Sequence, residues 1–233
     1  MRHLVLLPGL ASDATVWRDQ VPALSRQCRV TVADVHFRAD SLPAMAATLL
    51  AEQPGELLLC GTSMGGMVAL EAVRLAPQRI RGLALLGTSA RADTPELIAL
   101  REAAIVEFQA GRADAVLRAN VAFAFHQRVS GDSELARTYL DFVQRAGADA
   151  LVRQNRAILA RADLRPTLRA IACPTLVACG DSDLLTPPDH AREIAAGIPG
   201  ARFELVPECG HLLTMEQPDR VNALLLEWLA GIG

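Results

Sequence analysis

Short, nearly unbroken apolar runs bounded by Gly or Pro recur along the chain, at residues 2–7, 29–35, 57–61, 80–87, 174–180 and 201–207. A strand with one wet face alternates apolar and polar positions. These runs do not, so they predict strands buried on both faces of a parallel sheet. Between them lie longer stretches with helical spacing, at residues 15–24, 41–52, 64–76, 188–196 and 215–229. Strand–helix–strand alternation predicts an α/β fold, an open and mostly parallel sheet with helices on both faces.

The alternation breaks once. From about residue 91 to residue 169 the patterning is helical throughout, over 96–110, 113–125, 134–146 and 148–160, with turns at Gly111, Gly131 and Gly147. The expected organisation is a core of residues 1–90 and 170–233 and a helical cap, or lid, of residues 91–169 inserted before the last two strands. Such an insertion lies over the carboxyl ends of the strands, where open α/β sheets place ligands.

Composition removes several chemistries. All 23 basic residues are Arg, so a P-loop lysine, a Schiff-base lysine and a Ser-Lys dyad are excluded. The net charge of −3 offers no basic footprint for nucleic acid. No apolar stretch reaches the roughly 18 residues of a membrane span, and the first apolar run is too short for a secretory leader. Cys28, Cys60, Cys173, Cys179 and Cys209 form neither a CxxC pair nor a metal-site spacing, and mostly sit in apolar runs. They read as buried, reduced thiols. The expectation is a cytoplasmic protein, monomer or homodimer, whose partner is a small-molecule substrate.

The strongest local signal spans residues 57–70, a buried strand, then Gly61-Thr62-Ser63-Met64-Gly65, then an apolar helix. Small residues at positions 61 and 65 let strand and helix approach closely enough to lift the Ser63 hydroxyl above the sheet. The Met64 amide then stands at a helix N-terminus, where developing negative charge is favoured. A phosphate cradle would need a P-loop lysine or a G-x-G-x-x-G spacing, and both are absent.

A nucleophilic serine needs a base, and the base an orienting carboxylate. After a nucleophile turn of this kind the chain order is acid, then histidine. Residues 174–180 lead into Asp181-Ser182-Asp183, and residues 201–207 into Glu208-Cys209-Gly210-His211. Four strand ends thus deliver Leu10, Ser63, an Asp and His211 to one edge. Spacing alone does not separate Asp183 from Asp181. His3, His36, His126 and His190 do not follow the last strand, where the base is expected.

These motifs resemble the α/β-hydrolase fold superfamily, in its branch of short esterases, enol-lactonases and C–C hydrolases. Pro8-Gly9-Leu10, Gly61-Thr62-Ser63-Met64-Gly65-Gly66, Gly180-Asp181-Ser182-Asp183 with Pro187, and Gly210-His211 carry the resemblance. It covers the core on both sides of the insertion and is weak within it. It implies a Ser63–His211–Asp183 triad, with the acid at the end of G-x-x-D, and an oxyanion hole from the Leu10 and Met64 amides. Pro8 stands where the family commonly has His, and the family's Gly-x-Gly-x-Ser loop after the second strand is missing. The implied activity is a serine hydrolase that cleaves a small carboxylic ester, lactone or related acyl compound through an acyl-enzyme, with no metal and no organic cofactor. The same triad also serves C–C hydrolases, lyases and acyltransferases. A non-catalytic ligand-binding relative would not need all three triad members. Within the cap, Phe123, Tyr139, Arg153 and Arg156 are the candidates for substrate contact, although aromatics at helical spacing are ordinarily core and arginines ordinarily solvated.

Overall fold

The apolar runs become six strands: β1 (His3–Leu7), β2 (Arg29–Val32), β3 (Leu57–Thr62), β4 (Ile80–Leu86), β5 (Thr175–Gly180) and β6 (Arg202–Val206). The computed structural model describes residues 2–129 and 133–232, so the turn expected at Gly131 lies outside the described residues. All strand pairs are parallel, in the order β2-β1-β3-β4-β5-β6. The chain runs outward from β1 to β2 and then returns to β3. The loops after β1 and β3 therefore diverge at the switch point of the sheet, where a crevice opens at the carboxyl edge.

The helices are α1 (Gln20–Leu24), α2 (Leu42–Glu52), α3 (Met64–Leu75), α4 (Pro95–Gln109), α5 (Ala113–Ala124), α6 (Glu134–Leu159), α7 (Pro188–Gly197), α8 (Leu213–Glu216) and α9 (Pro218–Ala230). Successive strand side chains point to opposite faces, and here both faces are covered. Leu4, Leu6, Leu58, Cys60, Leu86, Leu176 and Val206 pack into a layer with Leu24 of α1 and Val221, Leu225 and Leu229 of α9. Val5, Leu7, Leu59, Leu85, Val177 and Cys179 pack into the layer of α2, α3 and α7. Burying one such leucine contributes roughly 1.5–3 kcal/mol, and the four inner strands are almost wholly apolar. The edge strands β2 and β6 instead alternate Arg29 and Thr31, and Arg202 and Glu204, with apolar residues. They are for the most part only partly buried, contrary to the expectation of burial on both faces.

Helices α4, α5 and α6 form the insertion between β4 and β5. Gly111 (φ 75°) follows α4 as expected, and α6 is broken at Gly147 (φ 81°, ψ 166°) into the two expected helices. Among the described residues no helix is long and apolar enough to cross a membrane.

Three spans differ from expectation. Residues 15–24 form a short 3₁₀ turn (Ala14–Trp17) and then α1. Pro22 has no N–H and its ring would meet the carbonyl four residues back, so the helix restarts with Pro22 in its first turn. The helix expected over 215–229 is split at Gln217 (φ −134°, ψ 55°), because a residue before proline is driven out of the helical region. Strand β2 ends at Val32, and Val35–Phe37 turn into a 3₁₀ segment that sends the His36 ring to the Ser12 carbonyl, 2.8 Å away.

The cap is rooted in a buried ion cluster. Asp93, 2% exposed at its side chain, receives Arg101 Nε and Arg161 Nη2, each at 2.7 Å. Arg101 also donates to Asn155 Oδ1 and Arg161 to the Arg91 carbonyl, tying the start of α4 to the end of α6. Removing one partner from such a group strands the others without a counter-charge. Asp93→Ala should lower unfolding free energy by about 3 kcal/mol in urea titrations, and a loss below about 1 kcal/mol would mean that the guanidinium groups are solvated instead.

Candidate active site

At the end of β3 the chain turns into α3 through Ser63, whose backbone is left-handed (φ 51°, ψ −119°). A Cβ on Gly61 would run into the Gly65 carbonyl, and one on Gly65 into the carbonyl oxygens of Leu7 and Pro8. Only glycines let α3 start directly on the ends of β1 and β3. The serine's conformation is held from three sides: its N–H donates to Leu86 O (2.9 Å), its carbonyl accepts from Gly66 N (2.9 Å), and Thr88 Oγ1 donates to the same carbonyl (2.6 Å). The strain is therefore fixed by neighbours, as at a turn that serves to present a side chain.

The loop after β1 closes over this turn. A Cβ on Gly9 would lie 3.3 Å from Ser63 Cβ. Met64 follows the serine and Leu10 follows Gly9; these are the two predicted amide donors, and neither N–H donates to another group among the described residues. Pro8 lacks an N–H, but the amide expected to donate is that of Leu10.

Asp183 and His211 meet. Asp183 is 1% exposed and His211 8%, and His211 Nδ1 stands 2.8 Å from Asp183 Oδ2. The carboxylate also accepts from Leu185 N (2.9 Å), Thr186 N (2.8 Å) and Thr186 Oγ1 (2.9 Å). Burial alone would push this carboxyl up, but the imidazole beside it and the hydrogen bonds from His211 and Thr186 prevail and hold it below the ordinary aspartate range. An ionised carboxylate only accepts, so Nδ1 carries the proton and Nε2 of the neutral ring is left as an acceptor.

Gly87 links the two halves. It follows Leu86, which holds the Ser63 amide, and its left-handed backbone (φ 50°) places its Cβ position 3.2 Å from His211 O and 3.3 Å from Asp183 Oδ2. Serine, aspartate and histidine thus share one rim at the ends of β3, β5 and β6. Among the described residues no hydrogen bond reaches the Ser63 hydroxyl; such contacts often tighten only with substrate in place.

Asp181 has a different task. Its carboxylate accepts from Glu208 N (3.0 Å), Cys209 N (3.2 Å) and Ser182 Oγ (3.0 Å), bracing the loop that carries His211. The other histidines are engaged elsewhere: His3 Nε2 with Thr31 Oγ1, His36 with Ser12 O, and His126 Nδ1 with the Arg128 N–H. His190 sits in the first turn of α7.

A model of the alpha/beta hydrolase fold family matches residues 2–218. The chain belongs to this family. It is similar to a pimeloyl-acyl-carrier-protein methyl ester esterase of Edwardsiella ictaluri, 31% identical over 245 residues, 99% of this chain and 94% of that protein. Among solved structures it resembles a thermophilic esterase from Thermogutta terrifontis, with TM-score 0.89 and 27% identity over 100% of this chain and 90% of that one. An enol-lactonase from Burkholderia xenovorans LB400 matches with TM-score 0.89 and 26% identity over 98% and 91%. This α/β-hydrolase is an enzyme of the hydrolase class with esterases and lactonases as relatives.

The cap candidates are dispersed. Phe123 is half exposed on α5. Tyr139 is buried edge-on between Phe125 and Phe142, and its hydroxyl accepts from Asn120 Nδ2 at 2.7 Å. Arg153 and Arg156 line an open cavity of about 570 Å³ together with Asp40, Phe108, Asp149 and Val152, to which Ser63, Asp183 and His211 do not contribute. Arg153 Nη2 donates to Phe37 O, and its Nε lies at an ion-pair distance of 3.5 Å from Asp40 Oδ1 without hydrogen-bond geometry.

Two polar residues escaped the sequence reading. Glu216 accepts from Gly210 N (3.0 Å) and from His126 N (2.9 Å), joining the histidine loop to the cap. Burial holds its carboxyl above the ordinary glutamate range, the amide bonds offsetting only part of that. Gln154 is wholly buried against the loop after β1. Both leave a trace in sequence: Glu216 follows the mostly apolar stretch Leu212-Leu213-Thr214-Met215, and Gln154 falls three residues after Leu151 and four before Ile158, on the apolar stripe of α6.

The depressed Asp183 carboxyl carries a pH signature. Its ionised form stabilises the fold above the ordinary aspartate value of about 4, and that contribution fades as pH falls below it towards the folded value. The urea stability gap between wild type and Asp183→Asn should therefore be constant above about pH 5 and narrow progressively as pH falls below about 4. A gap independent of pH would contradict the assignment.

Proposed function

We propose that the protein cleaves a small carboxylic ester or lactone by acyl transfer to Ser63. The observation that carries this reading is the buried His211–Asp183 pair, packed against Gly87 beside the residue that holds the Ser63 amide. In the first half-reaction Ser63 Oγ attacks the carbonyl carbon while its proton passes to His211 Nε2. Asp183 keeps the Nδ1–H tautomer and stabilises the imidazolium. The carbonyl oxygen gains charge between the unspent Leu10 and Met64 amides, at the positive end of α3. The tetrahedral adduct then expels the alkoxide, which takes the proton from His211. Water attacks the acyl-enzyme with His211 as base and releases the acid. Every group required is supplied by the chain and one water, so the reading calls for no metal or cofactor.

The esterase and lactonase relatives support the substrate class, and the cap is the part of the chain that would select among acyl and alcohol portions. Tyr139, with Phe125 beside it, sits where the cap meets the histidine loop and is the strongest apolar candidate for that role. Phe123 is half exposed, and Arg153 and Arg156 line a cavity to which the triad residues do not contribute, so substrate contact there would be with an extended or carboxylated tail.

Ser63→Ala should lower kcat on short acyl esters and enol-lactones by on the order of 10⁴- to 10⁶-fold with the fold intact. A fluorophosphonate should label the wild type at Ser63 alone, as read by peptide mass spectrometry. Asp183→Asn should cost roughly 10³- to 10⁴-fold, and Asp181→Asn far less. Turnover surviving in Ser63→Ala, or the two aspartate variants behaving alike, would remove the mechanism.

A further inference from the structure

The Leu10 amide, one of the two donors assigned to the oxyanion hole, sits in a turn that its own residues do not favour. Ser12 N donates to Gly9 O at 3.2 Å, closing a four-residue turn with Ala11 at its third position. Ala11 has φ 52°, a left-handed conformation that turns of this kind reserve for Gly or Asn, and which crowds an L-residue's Cβ. Something outside the turn must hold it.

That hold comes from the cap. Gln154, on the second half of α6, is 0% exposed. Its Oε1 accepts from Ala11 N at 2.6 Å and its Nε2 donates to His36 O at 2.9 Å. The His36 ring, 3% exposed, donates from Nε2 to Ser12 O at 2.8 Å. A backbone N–H can only donate and a carbonyl only accept, so the orientation of the Gln154 amide and the proton on His36 Nε2 follow from their partners. The ring of contacts runs Ala11, Gln154, His36, Ser12 and encloses the turn from behind. From the front, Gly9 abuts Ser63.

We infer that Gln154 is a positioning residue for the oxyanion hole: a cap side chain that touches no reacting atom but sets where the Leu10 N–H points. The inference rests on the acyl-transfer reading above and adds to it a residue that no motif marks. Donors aimed at an oxyanion act on the transition state more than on the ground state. Displacing one should therefore lower kcat and leave KM little changed, whereas a residue that only packs the cap would alter stability or KM.

The test is Gln154→Met, which keeps the volume and removes both hydrogen bonds. It should lower kcat on an activated ester by roughly 10- to 100-fold with KM little changed. It should weaken a boronic acid, whose tetrahedral Ser63 adduct places an oxygen in the hole, by a similar factor. Gln154→Asn keeps the amide but is a methylene too short to span Ala11 and His36, and should show the same split if the methionine variant does not fold. Gln154→Glu, held protonated by burial, keeps one acceptor and one donor and should recover most of kcat. A folded Met or Asn variant with unchanged kcat and boronate affinity, or with a change in KM alone, overturns the inference. A wild type that neither turns over esters nor is labelled at Ser63 overturns the acyl-transfer reading itself, so the two failures are distinguishable.

Discussion

The architecture depends on a backbone contact too close for any side chain. At Gly61 and Gly65 the start of α3 rests directly on the ends of β3 and β1, and a single methyl group at either position would overlap a carbonyl. That proximity forces Ser63 into a left-handed conformation and exposes its hydroxyl above the sheet. It also brings Gly9, in the loop after β1, against the serine. A looser joint would leave a serine in an ordinary βα turn.

The opposite half of the site is fixed by hydrogen bonds rather than by contact. Asp183 gathers four donors, Asp181 braces the loop that follows β6, and Glu216 receives amides from that loop and from the cap. Buried carboxyl groups are tolerable only when their oxygens find donors, and each oxygen of Asp183 and Glu216 has at least one. The cap is therefore not a loose cover. It joins the core through Asp93 at its root, through Glu216 beside the histidine and through Gln154 behind the loop after β1.

Legibility followed from how local the determining physics is. The inner strands and the insertion show in sequence because burial on both faces suppresses polar residues for whole runs, and the edge strands β2 and β6 show despite polar alternates. The helix breaks at Pro22 and Pro218 have a local cause that periodicity alone overlooked. Ser63 and His211 stand out because a glycine frame and a strand end mark them. Asp183 and Asp181 did not separate, since the difference between orienting an imidazole and bracing a loop lies in which amides point at each carboxylate. Gln154 and Glu216 were hidden for a related reason. Their partners are main-chain groups far along the chain, and main-chain partners leave no motif.

The junction between cap and histidine loop has one more consequence. His211 N donates to Ala124 O, and Gly210 lies against the backbone of Phe125 and His126. On the cap side this seam is made of peptide groups, so residues 124–126 can change their side chains without altering the bonds that seat His211. Position 210 has no such freedom. Substitution along this edge of the insertion can thus vary the surface it presents while the peptide bonds that position His211 keep their alignment.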